Sequence, residues 1–416
     1  MHVLLTYLQG IASTQPGHSA LLQLADMSAS LTRQGVRVTI LTGGFDEQVP
    51  QRFGRNFVRL QAPLLRVIPM SRLHEMRHEA LLQCNLSLLA TMISLRRRGI
   101  KADLVHSVGW ESALASGLFC QMMGLPLVCT LEDAIWEREP WMADPTLAYP
   151  RYIERWIIRH CHRLVCPDQY MQKKIQDLFL VREEDLAVVP PFPERITPHE
   201  EGETRFQGRA KKILFVDSPG PRSGVADVLQ ACSQLAAGKA QHLQIIMVTS
   251  PNSFYGFHAR KMIRKLHLAD RILFVDQISQ RRDQEELYRQ ASLMVMPGRA
   301  HFVGNLVLAA MQNGLPVVAA NCGALAELIK DGVNGLKFSF GDRKSLLKAM
   351  EMVLYDHELH RQIATEARQK ARSWPEVGPL LLRIYREACG HPMRLKRKGG
   401  DSDDLLFPEP RSGGGA

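Results

Sequence analysis

No run of about 18 consecutive apolar residues occurs in this chain, so the sequence offers nothing long enough to become a membrane-spanning helix. Aromatic residues make up only 7%, and no basic helix with base-reading side chains or stacking-aromatic motif is present, which argues against a nucleic-acid partner. The eight cysteines lack paired zinc-site spacing. Cys161 and Cys166 stand five apart with no second pair, so reduced structural thiols are expected. An acidic Asp-x-Asp pair in a suitable loop is also missing, so no metal and no cofactor are expected. The opening residues Met1-His2-Val3-Leu4-Leu5-Thr6 read as a short strand instead of a charged leader with a long apolar region, and this predicts a cytoplasmic protein.

What is present is a 416-residue chain with 45% apolar residues, long enough for two domains of about 200 residues each. Its 52 Lys and Arg exceed its 42 Asp and Glu, giving a net charge of +10. That excess favours anionic partners: sugar nucleotides, phospholipid surfaces or phosphorylated acceptors.

Strand and helix patterns alternate along the first half. His2 to Tyr7 and Val36 to Leu41 read as buried strands around an amphipathic helix from about Ser19 to Gln34, a βαβ beginning that argues for a parallel sheet. The turn Gln15-Pro16-Gly17-His18 opens that helix. A helical segment from Arg72 to Arg98 ends in three arginines and Gly99, as a helix C-terminus favours. Its many leucines leave two readings open, internal packing or a peripheral contact at the inner face of a membrane. Then come Asp103-Leu104-Val105-His106, a small-residue helix from Glu111 to Met123, the strand Leu127 to Thr130, and a helix and strand across Tyr152 to Val165. Pro190-Pro191-Phe192-Pro193 and the charged stretch Glu194 to Arg209 mark a linker, placing the boundary near residue 195. Beyond it, strands at 213–216, 245–248, 272–275, 293–296 and 317–320 recur between helical patterns, as in a second doubly wound domain.

The stretch Met296 to Phe338 is the most informative. It reads as a loop carrying Gly304, a helix from Asn305 to Asn313, a Gly314-Leu315-Pro316 turn, a buried strand Val317 to Ala320, and a second glycine turn opening a helix near Ala324. Two helix N-termini would face one crevice, and their free N–H groups and partial positive charge suit a diphosphate.

These residues resemble the donor-site signature of retaining glycosyltransferases of the GT-B fold, family four. Gly304, Asn305, Gly314, Pro316, Gly323 and Glu327 fit the pattern. Ala310-Met311 keep its register, which places His301 and Ala309 where that family carries two glutamates. After the strand ending at Val216, the family carries an Arg and a Lys to neutralise the leaving diphosphate. Here Ser218 and Ser223 stand in those places, Gly224 persists, and Arg222, Arg299 and His301 are the cations at hand. Glu132 takes the place of a histidine beside the transferred sugar, where a carboxylate can accept a sugar hydroxyl or act as a base, or simply cap a loop.

The resemblance implies an α/β protein of two Rossmann-like doubly wound domains facing across a cleft: an acceptor-side domain 1–195, a nucleotide-sugar domain 196–375, and a helix 376–390 returning to the first domain. The tail 391–416 is expected to be disordered. It implies Glu132 and His301 at the reacting sugar, and Gly17, Arg222, Gly224, Arg299, Gly304, Asn305 and Glu327 around the donor. The function implied is hexosyl transfer from a nucleotide sugar to a glycan, lipid-linked or small-molecule acceptor in envelope or polysaccharide biosynthesis. Because the Arg, Lys, Glu and His positions are substituted, a second reading stays open: a silent glycosyltransferase-like subunit that binds a partner glycosyltransferase, a glycan or a nucleotide. A GT-B epimerase is a third, although its signature acids are not evident.

Overall fold

The computed structural model describes residues 1–8, 20–43, 57–61, 77–131, 148–179, 181–190, 211–216, 224–238, 240, 242–248, 254–275, 281–298 and 304–390. Among them lie two parallel sheets. The first holds β1 (His2–Leu8), β2 (Arg37–Gly43), β3 (Phe57–Gln61), β4 (Leu104–Val108), β5 (Leu127–Thr130), β6 (Arg163–Cys166) and β7 (Leu186–Val188), in the order β3-β2-β1-β4-β5-β6-β7. The second holds β8 (Lys212–Val216), β9 (Gln244–Val248), β10 (Ile272–Val275), β11 (Leu293–Met296), β12 (Val317–Ala320) and β13 (Leu336–Phe338), in the order β10-β9-β8-β11-β12-β13. Every strand pair is parallel. Parallel pairing requires crossover helices, and those helices bury both faces. This is why β1, β4, β11 and β12 are buried at every position instead of alternating.

The crossover helices of the first unit are α1 (Ala20–Arg33), α2 (Arg77–Arg97), α3 (Ala113–Met123), α4 (Ala148–His160) and α5 (Gln169–Phe179). Those of the second are α6 (Val225–Ala237), α7 (Phe254–Lys265), α8 (Arg281–Gln290), α9 (Gly304–Gln312) and α10 (Gly323–Leu328), followed by α11 (Arg343–Tyr355) and α12 (His357–Arg372). Helix α11 starts where the Asp342 side chain accepts from the amides of Lys344 and Ser345, and α12 where Asp356 accepts from Leu359. Each sheet is sandwiched between two apolar layers.

The last helix, α13 (Val377–Gly390), packs on α1 and buries Val377, Leu381, Ile384, Tyr385 and Ala388 beside β1, β2 and β4 of the first sheet. The Gly378 amide donates to Ser30 Oγ at 3.0 Å. Tyr385 Oη lies 2.7 Å from His106 Nδ1, and the other ring nitrogen of His106 lies 2.7 Å from Thr130 Oγ1. Total burial keeps this imidazole neutral, with its pKa lowered to about 3.

Two strands, β3 and β13, have no counterpart in the expectations above, and β7 meets them only at Val188, ahead of the proline-rich boundary. β3 and β13 are short edge strands in which a charged residue, Arg59 or Lys337, interrupts the apolar run. The small-residue helix opens at Ala113, later than Glu111, because the turn Gly109-Trp110-Glu111 intervenes. The expected boundary near residue 195 and the tail 391–416 lie outside the described residues.

Candidate functional site

In open parallel sheets, ligands bind beyond the carboxyl ends of the strands, where successive crossovers leave in opposite directions. In the second sheet that switch point lies between β8 and β11. Gly224, at the start of α6, takes a left-handed backbone (φ 68°) and accepts from the amides of Asp227 and Val228 through its carbonyl. A Cβ there would lie 2.7 Å from Pro297 Cβ and 3.0 Å from the Pro297 carbonyl, just past the end of β11. Only glycine combines that backbone conformation with that approach. The start of α6 thereby lies against the end of β11, across the switch point.

The next helix starts are arranged alongside. Gly304 opens α9 after β11, and Gly323 opens α10 after β12, the neighbouring strand. Three helix beginnings thus stand on one sheet edge, and those of α6 and α9, each more than two turns long, offer N–H groups to an anion. Ala309 is fully buried within α9, among Met294, Met296 and Leu315. The place of the second family glutamate is therefore filled by core packing.

Across from this edge, the switch point of the first sheet lies between β1 and β4. Buried hydroxyls tie it together: Thr6 Oγ1 lies 2.7 Å from Ser116 Oγ, Ser107 Oγ 2.8 Å from Ser112 Oγ, and Ser112 Oγ donates to the Thr6 carbonyl. Asn85 of α2 donates to the Glu111 carbonyl and accepts from the Ala115 amide. The Gly109 amide donates to the Thr130 carbonyl at 3.0 Å. This network fixes the Gly109-Trp110-Glu111 turn beside the end of β5, two residues before Glu132. It places the half-buried Glu111 carboxylate at the strand ends, an acid that by sequence alone marks only the start of a helix.

Of the expected site residues, Glu132, His301, Gly17, Arg222 and Arg299 lie outside the described residues, as does the Asn305 side chain. Gly224 and Gly304 stand together on the second sheet's carboxyl edge. Glu327 lies in α10, on the same edge, but its carboxylate is engaged by the amides of Gln169 (3.3 Å) and Tyr170 (2.7 Å) in α5 of the first unit. No local pattern announces this pairing, since 157 positions separate Tyr170 from Glu327. A weak sign was at hand for the helix end itself: Asp168 after Pro167, ahead of an amphipathic run, is an N-cap pattern, and its carboxylate does accept from the Met171 amide at 2.7 Å.

Residues 23–192 match the family described as Glycosyltransferase Family 4, and residues 197–370 match Glycosyl transferases group 1. The chain is 27% identical over 384 residues to the D-inositol 3-phosphate glycosyltransferase of Corynebacterium efficiens, covering 86% of this chain and 88% of that protein. The same-named protein of Acidothermus cellulolyticus is 25% identical over 303 residues, covering 69% of this chain and 67% of that protein. In three dimensions the chain is similar to sucrose-phosphate synthase from Thermosynechococcus elongatus, with a TM-score of 0.69 at 18% identity over 93% of this chain and 98% of that one. It is equally similar to Anabaena Alr3699/HepE, solved in complex with UDP and glucose, with a TM-score of 0.69 at 17% identity over 94% and 100%. Two doubly wound sheets, a glycine pressed across the switch point and these matches lead to one conclusion: the chain belongs to the group 1 glycosyl transferases and has the GT-B fold.

Proposed function

We propose that this protein transfers a hexosyl group from a nucleoside diphosphate sugar to a hydroxyl of a glycan, lipid-linked or small-molecule acceptor, with retention at the anomeric carbon. The observation that carries this reading is the closure of Gly224 on Pro297. It brings the beginning of α6 against the residue that follows β11, on the same carboxyl edge from which α9 starts, where N–H groups face developing negative charge on the leaving diphosphate. Arg222, two residues before Gly224, supplies the cation that the family places elsewhere in this loop, and Arg299 and His301 supply further positive charge. The departing phosphate oxygen takes the acceptor proton on the same face of the sugar, so no separate base is required for retention. Glu132 orients sugar hydroxyls from the first sheet's side.

The curated relatives are named for a phosphorylated polyol, and the +10 charge of this chain suits an acceptor of that kind. A lipid-linked acceptor has its own support. On α2 and α3, Leu86 and Met122 are 49% and 60% exposed, and α3 carries no charged residue at all. Helices α2 and α4, both packed against α3, carry Arg96, Arg97, Arg155 and Arg159, while the acids of these helices are Glu79 and the buried Glu154. No helix among the described residues is long and apolar enough to cross a membrane, so such a face would rest on the headgroups. No observation among the described residues favours a silent subunit over transfer.

Calorimetric titration with UDP-, GDP- and ADP-glucose tests the donor. Binding of one nucleotide series at micromolar strength, weakened at least tenfold in Arg222→Ala and His301→Ala, is the expected result. Absence of binding to all three would remove the proposal.

A further inference from the structure

Glu327 does not reach into open space from its place on the carboxyl edge of the second sheet. Its Oε1 accepts from the Tyr170 amide at 2.7 Å and its Oε2 from the Gln169 amide at 3.3 Å. These are the first two residues of α5, whose third amide, Met171, is taken by Asp168. A helix leaves its first N–H groups without intrahelical partners. Here they are satisfied by two carboxylates, one local and one supplied by the other domain. Both arrangements are favourable, because an anion at a helix N-terminus meets the positive end of the macrodipole and its hydrogen bonds are charge-assisted.

Position matters as much as strength. Helix α5 follows β6 and α10 follows β12, so the contact joins the carboxyl edges of the two sheets, the edges that carry the donor frame and the Gly109-Trp110-Glu111 turn. Both carboxylate oxygens accept from backbone amides, so this side chain has a partner within the protein itself.

We propose that Glu327 is a positioning residue: by capping α5 it latches the nucleotide-sugar domain onto the first domain, holding the crevice in the arrangement in which donor and acceptor meet. This rests on the donor-site reading above. Donor and latch then favour the same closed state, so each strengthens the other. The latch also gives a use for the acid at this position in a chain that carries His301 and Ala309 where the family pattern has two other acids.

The test is hydrogen exchange on the full chain, read at single amides. In the wild type the Tyr170 amide is protected, and Glu327→Ala speeds its exchange about tenfold, the equivalent of one charge-assisted hydrogen bond. Amides later in α5, from Lys173 to Phe179, keep their rates. Saturating UDP-, GDP- or ADP-glucose, whichever binds, slows Tyr170 exchange further in the wild type and not in the variant. In turnover, Glu327→Ala raises the donor KM more than it lowers kcat, and Gln169→Pro, which deletes one donor at a helix position that tolerates proline, shifts KM in the same direction. Equal Tyr170 exchange in wild type and Glu327→Ala overturns the latch even if donor binding is intact. Donor binding that speeds exchange at Tyr170 overturns the coupling. Failure of every nucleotide sugar to bind, with Tyr170 still protected by Glu327, would instead overturn the donor-site reading beneath it.

Discussion

At the scale of single residues, Gly224 and His106 make the sharpest demands. Gly224→Ala must either abandon φ 68° or push a methyl into Pro297, and neither the proline ring nor its carbonyl can yield far. Strain of this kind costs about 1 to 3 kcal/mol. Because the loop carries Arg222, the expected outcome is a rise in donor Kd of tenfold or more with a modest loss of thermal stability, checked by calorimetry beside a melting curve. His106 makes a different demand. Burial depresses its folded pKa to about 3, while the unfolded chain titrates near 6.5, so between those values the unfolded state holds a proton that the folded state refuses. Its contribution to stability is whole above about pH 6.5 and is lost as pH falls towards 3, at up to about 1.4 kcal/mol per pH unit. Urea midpoints at pH 7 and pH 5 should therefore differ clearly in the wild type. In His106→Asn the difference should shrink without vanishing, because burial lowers the pKa values of His2 and His162 as well and they add slopes of the same sign.

At the scale of elements, α13 decides how the chain's end is held. It approaches α1 so closely at Gly378 that a Cβ there would lie 2.6 Å from both the Ser30 carbonyl oxygen and its Oγ. Gly378→Ala should lift the helix off α1, break the Gly378-to-Ser30 hydrogen bond and cost about 1 to 3 kcal/mol. A lowered urea midpoint together with faster cleavage near Ser373 to Glu376 by a broad-specificity protease would verify this. Tyr385→Phe isolates the polar part of the same docking. It keeps the ring but leaves His106 Nδ1 buried without its partner, and a loss of about 1 to 3 kcal/mol is expected.

At the scale of the whole molecule, charge and exposed apolar surface coincide on the α2, α3 and α4 side of the first domain. Flotation with phosphatidylcholine vesicles should show little association. Adding phosphatidylglycerol should recruit the protein in a salt-sensitive way, each nearby cation contributing about 1 kcal/mol. Arg96→Glu combined with Arg97→Glu should abolish recruitment while leaving donor affinity unchanged, since these residues end α2 at the amino-terminal edge of the sheet, opposite the crevice. Failure of the phosphatidylglycerol vesicles to recruit the protein would remove the lipid-surface reading.

The elements that the sequence alone determined are those whose signal is local. Glycine and proline punctuation around Gly314-Leu315-Pro316 marked where a helix must end, apolar runs such as Val317 to Ala320 announced doubly buried strands, and the alternation of the two periods implied parallel sheets. Gly224 stood out in the motif, yet its reason, Pro297 lying against its Cα, belongs to a partner 73 positions away across a crossover. His106 was visible as the end of a strand motif, while the tyrosine that completes it lies 279 residues further on. The role of Glu327 depended most of all on tertiary structure. A carboxylate has the same sequence signature whether it meets a sugar hydroxyl or a backbone amide, and only the folding of two separate sheets brings the open end of α5 within its reach.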